Sequence, residues 1–500
     1  MKLPSSIKNW ISITGAVLAI FNLASILSLM LLSYFFGFGG SYIGLFIYIV
    51  LPVFMILGLI LIPVGMRLYR KKARKAEQEG KRLAWPVMDF NNVAVRNASI
   101  IFIVGTVFLL IISSVGSYEA FHYTESVEFC GKLCHQVMEP EYTTYHGSSH
   151  ERVACVACHV GSGASWYVKS KMSGLYQVYS VLANKYPKPI PTPIANLRPA
   201  QETCEECHWP EKFYDWKLRI QHSFLADDQN TENIVYLQIK TSSKNNSHGI
   251  QKGIHQHISP DVKIEYKTLD DKRQVIPWVR YTNTKTGASE VYTDHENPVS
   301  QSLLDSMETR VMDCLDCHNR PSHDYQVPQN FIDKLMAEGK IPKTLPSIKL
   351  LAVTAMNQDY SSRDSAFLAI DAQVKEYYEL VDPDVLASRK DEVEQAIAAI
   401  QQGYANNIFP EMKVSWKSYA NNIGHMEADG CFRCHNDRHA TPAGKLISKD
   451  CNLCHDILAQ GMAGDITYSS SFESLEFIHP MDIGEDWKTE NCSTCHSALY

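Results

Sequence analysis

The chain has 500 residues, a formal net charge of −7, 45% hydrophobic and 20% charged residues. That balance excludes a disordered or collagen-like chain, and the length suggests about three domains. The average hides strong local bias, in apolar runs near the N-terminus and in 14 Cys and 19 His distributed beyond them.

From Asn9 to Met66 there is no Asp, Glu, Lys, Arg or His, a run of 58 residues. One membrane-crossing helix needs about 20 residues, so this run holds two spans, at about 11–36 and 42–65. The break falls at Gly37-Phe38-Gly39-Gly40-Ser41, and Pro52 and Pro63 are kink sites in the second span. The apolar run is too long for a cleaved signal peptide, which favours a retained anchor. A third uncharged run covers Asn97 to Tyr118. Between the second and third lies a loop at 67–82 with eight basic and two acidic residues. Such a loop could contact lipid or nucleic acid, but it also follows the rule that basic loops stay cytoplasmic. With Lys2 and Lys8 it places the N-terminus inside, so three crossings export everything after Tyr118. The first 96 residues carry a surplus of eight positive charges, which leaves the remainder at −15. So acidic an exported part speaks against a nucleic-acid partner. It suits transient contact with basic, lysine-rimmed redox proteins.

The exported part contains every cysteine. Twelve of the 14 form C-x-x-C pairs and Cys130 with Cys134 forms a C-x-x-x-C pair. In all seven the next residue is His: Cys130/Cys134/His135, Cys155/Cys158/His159, Cys204/Cys207/His208, Cys314/Cys317/His318, Cys431/Cys434/His435, Cys451/Cys454/His455 and Cys492/Cys495/His496. Paired cysteines can also make zinc ribbons, but zinc needs four ligands from two pairs and gives no reason for seven histidines. C-x-x-C-H is the attachment signature of c-type haem. Seven covalent haems are therefore expected, six on standard motifs and one on the longer first motif.

In chain order the expected architecture is a transmembrane anchor at 1–118 and a first haem domain at 119–215 with three motifs. A β-rich insertion follows at 216–312, then a C-terminal haem domain at 313–500 with four motifs. The insertion is read from alternating runs such as Ile234–Lys240, Val262–Tyr266 and Val275–Tyr281. Helical spacing runs from Asp364 to Ala405. The fold class is a membrane-anchored multihaem cytochrome c: three transmembrane helices and a mainly α and irregular periplasmic haem domain with a small β insertion.

Each motif His should bind its own iron, and a low-spin electron carrier needs a sixth ligand, usually His or Met. Candidates are His150, His323, His425, His439 and His479. One of the closely spaced His255 and His257 is also expected to serve, with His222 a weaker choice, while His248 and His295 are not taken as ligands.

The stretch 126–182 resembles the NapC/NirT membrane cytochromes. Their pattern M-x3-Y-x2-Y-x4-H before a second haem motif stands here as Met138, Tyr142, Tyr145 and His150, then Cys155-Val156-Ala157-Cys158-His159. Their following W-x-x-K stands as Trp166-Tyr167-Val168-Lys169. The first motif departs from theirs, with one extra residue between its cysteines and one more before Met138. Three spans and seven motifs also exceed their usual plan, and look like the seven-haem inner-membrane cytochromes of metal-reducing bacteria. The resemblance implies a quinol dehydrogenase of the bacterial inner membrane, drawing on menaquinol and feeding periplasmic c-type cytochromes. It implies Met138 as a ligand of the first haem and a lysine at the quinol headgroup, Lys169 or Lys171. Glu139, and more weakly Glu141 and Glu128, are proton-transfer candidates. The alternatives are a haem relay without its own quinol site, or a terminal reductase of a small oxyanion.

Overall fold

The computed structural model describes residues 9–36, 50–78, 89–93, 96–97, 100, 104, 118–119, 122–133, 135–161, 163–194, 198–209, 214–242, 253–470 and 473–497. The third expected span, 97–118, lies almost wholly outside them, as do Cys134 and His248. The chain divides into two compact units: Met1–Ser126 with Cys155–Val178, and Val127–Ala154 with Tyr179–Tyr500.

In the first unit, α1 (Trp10–Phe36) packs along α2 (Leu51–Gln78). Glycine makes this possible. A Cβ on Gly15 would stand 2.6 Å from the Gly58 carbonyl oxygen, and one on Gly58 2.8 Å from the backbone nitrogen of Ala19. Apolar helices in a membrane gain little from burial, so close backbone approach at small residues supplies their attraction. The Ser12 hydroxyl donates to the Ile62 carbonyl at 2.9 Å, beside Pro63. Among the described residues one stretch, Leu51–Ala76, is long and apolar enough to cross a membrane, and Trp10–Ile26 is a shorter apolar stretch.

The second unit has two antiparallel sheets and a helical cluster. The first sheet runs β1-β2-β8-β9: β1 (Trp216–Phe224), β2 (Glu232–Lys240), β8 (His455–Met462) and β9 (Asp465–Tyr468). The second runs β6-β3-β4-β5-β7: β3 (Val262–Lys267), β4 (Trp278–Asn283), β5 (Ser289–Asp294), β6 (Arg310–Val311) and β7 (His439–Ala440). The strands of 216–312 thus do not close on themselves. Strands from beyond residue 430 complete both sheets, because β2 and β5 each have an edge left to pair.

The helical cluster comprises α5 (Pro328–Ala337), α6 (Ile348–Met356), α7 (Arg363–Val381) and α8 (Lys390–Asn407). Ala366, Ile370, Val374 and Tyr378, four residues apart, form one buried face of α7. Val393, Ile397, Ile400 and Tyr404 do the same for α8. Asp382-Pro383 separates the two helices, and a short helix, Pro383–Ser388, begins there. Lys349 is fully buried within the cluster. Its ammonium pairs with Asp333 and donates to the Gln329 carbonyl at 3.0 Å. Burial pushes the Lys349 pKa down and the Asp333 pKa up. Asp333 also accepts from the Phe224 backbone at 3.1 Å, joining the cluster to β1.

Candidate haem-binding sites

Residues i, i+3 and i+4 share one face of a helix. The motif Cys314–Cys317 forms one such turn, closed by reciprocal hydrogen bonds between Asp313 and Asp316. Cys155–His159 and Cys492–His496 are also single helical turns, and Gly430–Arg433 and Cys451–Leu453 are tighter 3₁₀ turns. Each can present both sulfurs and the following His to one porphyrin.

Four of the cysteines assigned to haem from sequence, Cys207, Cys317, Cys451 and Cys495, keep substantial exposed surface. Their motif partners Cys204, Cys314, Cys454 and Cys492 are half-buried. Cys207 belongs to an exposed run, Glu205 to Trp209, just beyond the helix Ala200–Cys204, which packs inward through Ala200. The Cys492–His496 turn packs inward through Ser493, whose hydroxyl bonds Asp429. Cys495 comes two residues later, about 200° further round the helix, and so faces outward. The assignment of these four to haem rests on motif spacing.

Across from five motif histidines stands a second imidazole. His208 faces His150 at 6.1 Å between ring centres, and His318 faces His255 at 6.4 Å. His435 faces His257 at 5.9 Å, His455 faces His425 at 6.2 Å, and His496 faces His479 at 6.2 Å. Metal–imidazole nitrogen bonds of about 2.0–2.1 Å on each side place two ring centres roughly 6.3 Å apart. All five separations therefore admit one iron. Among the distal rings, His150, His255, His257 and His479 each use Nδ1 on a backbone carbonyl: Pro321 at 3.1 Å, Thr241 at 2.6 Å, Ile254 at 2.7 Å and Met481 at 2.9 Å. Such bonds fix ring orientation and direct Nε2 to a metal. In the fourth pair, the buried Nδ1 atoms of His425 and His455 have no hydrogen-bond partner. Burial holds His425 at about 4, in the neutral form that ligates metals. The donor set and the spacing fit haem.

The motifs from the third to the seventh neighbour one another in sequence order. The Cys314 thiol bonds Cys204, which lowers its pKa. Burial pushes the Cys317 thiol up to about 12, with Cys431 and Cys434 close enough to add to the effect. Burial raises Cys454 to about 11, helped by Cys431, and burial raises Cys492 with a contribution from Cys451. In a mature c-type cytochrome these sulfurs are thioethers, so their proximity rather than their titration is the useful fact.

The other candidates differ in setting. The buried ring of His439 meets Asn436 Oδ1 at 3.0 Å through Nδ1 and the Ile276 carbonyl at 2.7 Å through Nε2. Both nitrogens thus serve the β7 junction, and the sequence expectation of a ligand there does not fit the geometry. His222 pairs with Glu232 at 2.8 Å, and His295 bonds the Arg438 carbonyl. His323 Nδ1 bonds the Glu141 carbonyl at 3.0 Å.

Around the first motif, Cys130 lies in a short helix, Val127–Lys132, and Gly131 lies directly beneath the Tyr142 ring. A Cβ there would fall 1.9 Å from Tyr142 Cδ2, so only glycine fits. Met138 is half-buried, one turn after His135 in α3 (His135–His146). Glu139 is tied to Arg363 at 2.7 Å, which occupies the carboxylate expected to move protons. Its neighbour Glu141 is more buried, and that burial raises its pKa. In α4 (Ala164–Leu182) the Lys169 ammonium lies 4.8 Å from the centre of the Trp166 ring, and that of Lys171 5.0 Å from the Tyr167 ring. The exposed side chains of Val168, Met172, Leu175, Tyr176 and Tyr179 recur at helical spacing on one face of α4.

The NapC/NirT cytochrome c family model, covering the family's N-terminal region, matches residues 93–189. Over 98% of its length the chain is 43% identical to the cytochrome c-type protein ImcH of Geobacter sulfurreducens, covering 95% of that protein. The chain belongs to the NapC/NirT cytochrome c family. Another relative is the cytochrome c-type protein NrfH of Wolinella succinogenes, 30% identical over 102 residues, which are 20% of this chain and 57% of that one. No solved structure matches. Membership makes the chain a membrane-anchored multihaem cytochrome with covalently bound haem. For a NapC/NirT protein, two features were not foreseen from sequence. Both His255 and His257 find a partner, and the residues inside motifs four and five, Asp316 and Arg433, are hydrogen bonded to each other's loops. The second has no sequence signal, because Arg433 donates to the main-chain carbonyl of Asp316 and any residue there would offer one.

Proposed function

We propose that this protein is an inner-membrane quinol dehydrogenase that passes electrons through seven c-type haems to periplasmic c-type cytochromes, with menaquinol as substrate. Three spans anchor it, the N-terminus is cytoplasmic and the haem domain is periplasmic. The observation that carries the reading is the run of five imidazole pairs at 5.9–6.4 Å, each containing a motif His. In this reading His150, His255, His257, His425 and His479 are the distal ligands of haems three to seven, and Met138 serves haem one. Cys207 and Cys495 carry the second thioether of haems three and seven. Haem, when bound, supplies one-electron redox steps. Closed pairs suit electron relay, and they count against an oxyanion reductase, which needs an open axial position on iron.

Quinol oxidation releases two electrons and two protons. In this proposal Lys169, or Lys171 on the other flank of the apolar face of α4, hydrogen-bonds the quinol oxygen and favours the anion left when a proton departs. The exposed apolar face of α4 receives the lipid-soluble tail. Glu139 serves as an anchor for Arg363 rather than as the proton acceptor.

The test is stopped-flow haem reduction by a menaquinol analogue in detergent-solubilised protein. The native protein is reduced rapidly, and Lys169→Ala slows reduction by about ten- to a hundredfold, the span from a single lost hydrogen bond to a charged group. Reduction by dithionite but not by quinol sinks the dehydrogenase reading and favours a relay loaded by a partner.

A further inference from the structure

Motifs four and five are tied together on two sides. On the distal side, His255 and His257 sit on one turn, Ile254–Ile258. His255 faces His318 with ring planes 14° apart, whereas His257 faces His435 with planes 80° apart. One five-residue turn therefore addresses two irons. The turn has little freedom. Its Nδ1 atoms are held by the Thr241 and Ile254 carbonyls. Gly253, which leads into it, is pressed on the end of β2. A Cβ there would lie 2.4 Å from the Lys240 carbonyl oxygen, so no side chain fits.

On the attachment side, Arg433 lies between the two cysteines of motif five. Its Nη2 donates to the carbonyl of Asp316, between the cysteines of motif four, at 2.7 Å. Its Nη1 donates to the Arg273 carbonyl at 2.7 Å and its Nε to the Gly430 carbonyl at 2.8 Å. The Asp316 carboxylate accepts from the Tyr266 hydroxyl at 2.6 Å, Arg310 Nε at 2.9 Å and Arg273 at 3.2 Å. A buried network with this many satisfied bonds allows the two loops one arrangement.

We propose that haems four and five form one locked node in the middle of the relay, with His255-Gln256-His257 as a shared ligand arm and Arg433 as a positioning residue. The inference rests on the ligand reading given under the proposed function and goes beyond it. A change of ligand at one iron moves the arm and so alters the other. The two irons also feel each other's charge, so reducing one makes reduction of its neighbour harder. Passing an electron between them makes and breaks no bond. One iron is oxidised as the other is reduced.

The ring-plane angles make the irons distinguishable. Nearly parallel imidazole planes give a rhombic low-spin electron paramagnetic resonance signal, and nearly perpendicular planes give one with a large highest g value. The experiment uses the full-length haem-loaded protein, with covalent haem counted by mass, and compares His257→Met with His479→Met. His257→Met is expected to remove a perpendicular-type signal and also to shift a rhombic signal and its midpoint potential, while His479→Met changes neither. Gly253→Ala and Arg433→Ala keep every ligand and are expected to broaden both signals with the haem count intact. They also cover the case in which His257→Met fails to mature. Loss of one perpendicular-type signal with every other signal and potential unchanged in all variants overturns the node and leaves the ligand reading standing. No change in any low-spin signal with His257→Met overturns the ligand reading itself.

Discussion

In residues 328–408 the helices bury Ile332, Ile348, Ile370, Val374, Tyr378 and Ile400 against one another, with almost no surface exposed. In residues 431–496 the polypeptide forms short turns and strands, and leaves Leu453, Tyr468, Ile478 and Met481 substantially exposed. The first region contains no cysteine, and the second contains three haem motifs. A region that buries its own apolar side chains gains about 25 cal/mol per Å² from doing so. Few apolar side chains of 431–496 are buried in this way, Ile457 and Ala459 among them, and we infer that this region draws more of its order from bound haem. The two parts of one unit therefore depend on the cofactor to different degrees.

The largest test of this contrast is to withhold haem. Protein made without haem attachment is expected to lose amide-exchange protection throughout 431–496 while 328–408 stays protected. Loss of protection in both regions together would show that the helical cluster also leans on haem. A smaller perturbation breaks the cluster from within. Lys349→Met leaves Asp333 buried without its partner, and is expected to cost about 3–5 kcal/mol in urea unfolding of the cluster. The haem count in that variant should remain unchanged. The smallest is Ile370→Val, which deletes one buried methylene and should cost about 0.5–1.5 kcal/mol by the same measurement. If Ile478→Val, at an exposed site beside His479, costs as much with haem present, then side chains there pack as tightly in the haem-loaded protein as in the helical core.

Sequence legibility followed the same division. The α7 and α8 helices are plain in the spacing of Ala366, Ile370, Val374 and Tyr378, because burial against other helices imposes that period. The motif residues are plain because covalent attachment demands their chemistry. The pairing of His150 with His208, or of His425 with His455, joins residues far apart in the chain, and no local pattern records it. His439 illustrates the converse. A histidine four residues after a motif reads as a ligand, yet its ring closes a sheet junction whose partner, Ile276, lies in the distant β-rich segment. The same distance hid the sharing of both sheets with the C-terminal region, since β8 begins on a motif residue, His455, and reads as haem-binding rather than as strand.

That strand has a consequence for how the protein is made. β8 lies between β2 and β9, with His455 opposite Ile239, and it arrives more than 200 residues after β2. In order of synthesis the β1–β2 hairpin comes first, with one edge of β2 unpaired until β8 arrives. The sheet closes only once the sixth motif has been delivered, so strand pairing at His455 and haem attachment at Cys451 and Cys454 just before it draw on the same few residues of newly delivered chain. The order of those two events decides whether an open strand edge persists long enough to pair with the wrong chain.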